Sequence, residues 1–75
     1  MNYKITMYFK NTNMENIHYD GNDVREAAEW WNSDTESLNG MIGMHTFTEI
    51  RAYQDGKHVS SYDPTNKQII HPQEA

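Results

Sequence analysis

Tyr3, Ile5, Met7 and Phe9 alternate with Lys4, Thr6, Tyr8 and Lys10. A period of two predicts a half-buried β-strand. The polar stretch Asn11-Thr12-Asn13-Met14-Glu15 predicts a turn, and Ile17 and Tyr19 around His18 predict a short return strand. Asp20-Gly21-Asn22 closes that hairpin. Asp23 then opens a helix, and Glu26 at the third position on has the spacing of a capping box. Val24, Ala27, Ala28 and Trp31 recur at helical spacing and define one face. Trp30 lies about 100° away on the flank. Arg25, Glu26 and Glu29 point to solvent, and Asn32-Ser33-Asp34 ends the helix.

Ser33 to Met44 has no clear period, and Gly40 and Gly43 break its apolar core. It reads as a lid or a contact loop. Thr46 to Gln54 is β-branched and aromatic, and Asp55-Gly56 is a strong hairpin signal. A two-residue turn there pairs Gln54 with Lys57, Tyr53 with His58, Ala52 with Val59, Arg51 with Ser60 and Glu49 with Tyr62. Ile50, Ala52 and Val59 then share one face; Glu49, Arg51, Tyr53, His58 and Tyr62 share the other. Asp63-Pro64-Thr65-Asn66 is a turn, and Ile69-Ile70 adds a short edge strand before a tail. The order is ββαββ, an α+β domain with a mainly antiparallel four-stranded sheet laid on one helix. The core candidates are Tyr3, Ile5, Met7, Phe9, Ile17, Tyr19, Val24, Ala27, Ala28, Trp31, Ile50, Ala52 and Val59.

Length makes this one small domain over residues 1–75, with its ordered core at about 3–63 and a tail from 64 to 75. Hydrophobic residues are 36% of the chain, but aromatics reach 12% and can fill a compact core. There is no cysteine, so disulfides and thiolate zinc sites are excluded. No apolar run approaches the roughly 18 residues that cross a bilayer, and the amino terminus lacks a signal-peptide core. The expected setting is cytoplasmic, away from membranes.

Charge changes the picture most. The net charge is −5, and Glu15, Asp20, Asp23, Glu26, Glu29, Asp34 and Glu36 face only Arg25 within residues 15–36. A negative field repels phosphates, which argues against direct nucleic-acid binding, and attracts basic protein surfaces. The four histidines form no metal-ligand spacing; His18 and Asp20 together give two ligands at most, too few for a metal centre. No phosphate loop or nucleophile elbow occurs. The chain therefore reads as a non-enzyme with no metal and no cofactor. The outward sheet face, with Tyr8, Tyr53, Tyr62, Arg51, Lys4 and His58, has the aromatic content of a base-stacking sheet, but tyrosine is also a good strand former.

The strand Tyr3–Phe9, the return strand Ile17-His18-Tyr19, the acidic helix and the following β-structure resemble, over about residues 3 to 54, the layout of a family of small phage proteins. These are the dimeric, DNA-mimicking uracil-DNA glycosylase inhibitors of Bacillus podoviruses. The size and charge are also similar to many anti-CRISPR proteins. The resemblance implies a phage or mobile-element protein that blocks a host protein, one that handles nucleic acid. Spaced carboxylates then imitate phosphates and an apolar anchor completes the interface. The partner-binding candidates are Asp20, Asp23, Glu26, Glu29, Asp34 and Glu36 for charge, and Trp30, Met41 and Ile42 for contact. The alternative is a homodimeric structural subunit that buries Trp30 and its strand edges against a copy of itself.

Overall fold

The computed structural model describes residues 1–40 and 47–64 and the backbone of 68–70. Met41 and Ile42, with the other residues from 41 to 46 that hold the end of the expected loop, and the tail beyond 70 lie outside the described residues. Strands β1 (Tyr3–Phe9) and β2 (Met14–Gly21) precede helix α1 (Val24–Asn39), and β3 (Thr48–Gln54), β4 (Lys57–Asp63) and β5 (Gln68–Ile70) follow it. All strand pairs are antiparallel, in the order β2-β1-β3-β4-β5. This is the expected α+β layout, with the anticipated edge strand at its far side.

The alternation in β1 does what its period demands. Ile5 faces Ala52 and Met7 faces Ile50 across the β1–β3 ladder, on the helix side. Lys4, Thr6 and Tyr8 face Tyr53, Arg51 and Glu49 on the open side. Ile5, Ala27, Leu38, Ile50 and Tyr62 form the buried core, with Ile50 at 0% exposure. Tyr3, Met7, Tyr19, Trp31 and Ala52 pack around it.

Two β-bulges move residues from their expected faces. In the first hairpin Ile5 pairs with Tyr19 and Thr6 with Ile17, so His18 is the extra residue. A bulge shifts the phase by one position. Tyr19 therefore stays inside, while Ile17 goes to the open side and is 58% exposed, a correction to its expected core role. In the second hairpin the turn pairs Gln54 with Lys57 and Tyr53 with His58 as expected, but Ala52 then meets Ser60 and Ile50 meets Tyr62. Val59 is the extra residue. Tyr62 thus leaves the open face for the core, where its hydroxyl donates to Asn39 Oδ1 at 2.9 Å.

Helix α1 also departs from expectation at both ends. Asp23 caps it, accepting from the amides of Arg25 and Glu26 at 2.9 and 3.3 Å. The returning arm of the cap differs, because the Asp23 amide donates to the Tyr19 hydroxyl at 3.0 Å. That phenol lies close over Gly21, where an added Cβ would sit 2.5 Å from its oxygen. Asn32-Ser33-Asp34 does not stop the helix, which runs on to Asn39 and is capped by Gly40. Asp34 is only 6% exposed and Leu38 is buried beside it. The inward stripe is therefore Ala27, Asp34 and Leu38, buried, with Trp31 partly buried among them, and Val24 turns out at 60% exposure with Ala28 also exposed. Tertiary contact has overridden the local preference of asparagine, serine and aspartate for helix ends.

Candidate protein-binding surface

The outward face of α1 combines charge with an exposed aromatic ring. Glu26, Glu29, Trp30 and Ser33 follow helical spacing and line a shallow depression of about 400 Å³. Trp30 remains 42% exposed there. Its indole meets the His18 imidazole with centroids 5.6 Å apart and planes tilted by 52°. His18 is itself held: its Nδ1 lies 2.7 Å from Asp34 Oδ2. The bulge in β2 brings His18 to this position, and the longer helix brings Asp34. His18 of β2, held by Asp34 of α1, thus braces the indole.

The other acidic candidates divide by role. Glu26, Glu29 and Glu36 are exposed on α1. Neither Glu26 nor Glu29 makes an ion pair among the described residues. Asp23 is exposed but works as the helix cap. Asp20 accepts from Asn2 Nδ2 at 2.9 Å. Asp34 corrects its expectation, since a buried carboxylate bonded to His18 presents no charge to a partner. The sequence reading missed the His18–Asp34 pair. Its signal was available in the spacing of Ala27, Trp31, Asp34 and Leu38, legible only if the helix is carried through Asn32 and Ser33.

The open sheet face is a second polar surface, organised around Glu15. Its Oε2 accepts from Thr6 Oγ1 and from the Tyr53 hydroxyl, each at 2.5 Å. Arg51 lies 3.9 Å from Glu15 Oε1, donates through Nε to Glu49 at 2.7 Å, and stacks 3.8 Å from the Tyr8 ring centroid. Burial raises the Glu15 pKa, but the Thr6 and Tyr53 hydrogen bonds and the Arg51 and Lys4 charges together leave it below its ordinary value. Burial and the Arg51 charge push His58 down. Burial, with the hydrogen bond to Glu15, raises Tyr53. Lys4 lies over the Tyr53 ring, and Tyr53 lies against His58, whose Nε2 is 2.6 Å from Ser61 Oγ. The aromatic and basic groups of this face are engaged with one another.

An apolar slot of about 230 Å³ opens between the first half of α1 and the sheet, with Ala27, Ala28, Trp31, Ala52 and Val59 on its walls. It carries no carboxylate or histidine, so it offers no acid–base pair. Among the described residues no group of three metal-ligating side chains occurs, and no helix is long and apolar enough to cross a membrane. Compared with known proteins, the chain matches no family model, no curated protein and no solved structure at a significant level.

Proposed function

We propose that this chain is a small non-enzymatic binding protein that docks the outer face of α1 onto a basic surface of another protein. The observation that carries this is Trp30, an indole left exposed on an acidic helix face and braced by His18. Exposed tryptophans in a polar setting are the anchors that interfaces favour. Glu26, Glu29 and Glu36 supply the charge that steers encounter. The finer reading is a phage or mobile-element inhibitor acting in the host cytoplasm. Its target is a nucleic-acid-acting host protein, whose basic groove accepts these carboxylates in place of phosphates. Such attraction is screened by salt. The test is capture from a Gram-positive lysate at graded ionic strength. A partner held at low salt, released as salt rises and lost with Trp30→Ala supports the reading. Capture that is flat with salt, or unchanged by Trp30→Ala, rejects it.

Strand β2 favours a second reading, a homodimer. It is an edge strand, and Met14 and Ile17 on it are exposed. An open edge is a template for pairing with another chain. Sedimentation at micromolar concentration decides between a monomer and a dimer. Trp30→Ala then decides whether a dimer still needs the helix face to hold a partner.

A further inference from the structure

Among the described residues, Arg51 is an example of guanidinium recognition. Arg51 stacks on the Tyr8 ring at 3.8 Å while Glu49 accepts from it at 2.7 Å and Glu15 stands 3.9 Å away. That arrangement is an aromatic face, two carboxylates and a planar cation. The outer face of α1 repeats the first two parts and lacks the third. Trp30 offers the larger ring, and Glu26 and Glu29 border the same depression, without an ion pair among the described residues. Arg25 is the only basic residue that α1 carries.

Resting on the docking reading above, we propose that the Trp30–Glu26–Glu29 depression is a receptor for one arginine side chain of a protein partner. Tryptophan has the strongest cation–π face of the aromatic residues. A guanidinium is planar and weakly hydrated, so it stacks on an indole and still directs N–H groups at carboxylates beside the ring. A lysine ammonium is a compact, strongly hydrated point charge and loses more water on entering. The depression therefore selects arginine over lysine at equal charge. His18, fixed by Asp34, keeps the indole in place before the partner arrives. Pre-organisation of this kind lowers the ordering cost of binding.

The experiment titrates the full chain with tetra-arginine and tetra-lysine peptides and follows the backbone amide resonances of α1, present in every variant, together with the indole Nε1–H resonance that disappears in Trp30→Ala. Tetra-arginine is expected to bind about two- to fivefold tighter, the scale of an exposed cation–π contact. Trp30→Ala should abolish that preference while leaving a weaker, salt-sensitive attraction, and Glu26→Gln with Glu29→Gln should weaken both peptides. Trp30→Phe, which keeps a ring, should retain part of the preference and guards against a folding defect. Equal affinity for the two peptides overturns the arginine receptor and leaves acidic docking standing. An arginine preference that survives Trp30→Ala overturns it as well. Absence of binding by either peptide overturns the receptor, while graded-salt capture judges the docking reading separately.

Discussion

The two hairpins carry the same irregularity and use it in opposite ways. In β1–β2 the bulge at His18 sends Ile17 outward and aims an imidazole at the helix. In β3–β4 the bulge at Val59 sends Tyr62 inward and closes the core over Ile50. One bulge serves a surface and the other serves stability. The turns differ as well. Asp55 and Gly56 both have positive φ, at 50° and 81°, the two-residue geometry that matches strand twist. The first hairpin instead turns through Asn11 to Asn13, with Asn13 at φ 57° and its side chain accepting from the Tyr8 hydroxyl at 2.7 Å. A bulge far from its turn is thus free to be recruited by whatever packs beside it.

If that division holds, the largest effect belongs to the inward residue. Tyr62→Ala should destabilise the domain by about 3–5 kcal/mol, the cost of removing a buried aromatic side chain. Tyr62→Phe, which loses the bond to Asn39, should cost only about 1 kcal/mol. Urea denaturation measures both; similar losses for the two would mean the hydroxyl, and not the ring, holds Tyr62 in. The next effect belongs to the outward bulge. Asp34→Ala leaves His18 without its carboxylate and should cost about 1–3 kcal/mol. It should also increase the mobility of the Trp30 ring, read by fluorescence anisotropy in a Trp31→Phe background. An unchanged ring would separate the His18–Asp34 pair from the proposed docking surface.

The turns give a smaller contrast. Gly56→Ala places a Cβ at φ 81° and should cost about 1–2 kcal/mol. The space around Gly56 is open, so the penalty is one of backbone conformation alone. Asn13→Gly relieves a similar conformation but gives up the Tyr8 bond, and should be close to neutral. Thermal melts of the two variants test whether the second turn is the stiffer one.

Much of this fold was legible in the chain. The strand Tyr3–Phe9 and the Asp55-Gly56 turn follow from local pattern and backbone preference, and the structure keeps both. What escaped was tertiary. Nothing local announces that His18 or Val59 takes the extra position in a ladder, since a bulge is set by what its neighbours pack against. Asn32-Ser33-Asp34 carries the composition of a helix stop, yet His18 satisfies Asp34 from another element and the helix continues. Of the surface candidates, Trp30, Glu26 and Glu29 were readable from helical phase, whereas Glu36 was readable only as charge, beyond the expected helix end. Asp34 was misplaced for the same reason that the helix end was.

The smallest expected effect separates the hairpins by pH, because each carries on the open face a group whose pKa is lowered in the fold. His58, on β4, has its pKa lowered by burial and by the Arg51 charge from an ordinary value of 6.5. A depressed folded-state value means the unfolded chain binds the proton more readily, so its stabilisation is complete above about 6.5 and fades as pH falls through the folded value. Glu15, on β2, also ends below its ordinary value of 4.5, since its hydroxyl donors and the Arg51 and Lys4 charges outweigh burial. Its contribution has the same sign and is lost later, as pH falls below 4.5. Acid should therefore weaken the domain in two stages, the second hairpin's histidine first and the carboxylate second. Melting temperatures across this range should show His58→Gln flattening the upper stage and Glu15→Gln the lower. If Glu15→Gln flattens the upper stage instead, the Glu15–Tyr53–His58 row titrates as one unit, and the two hairpins are coupled through β3.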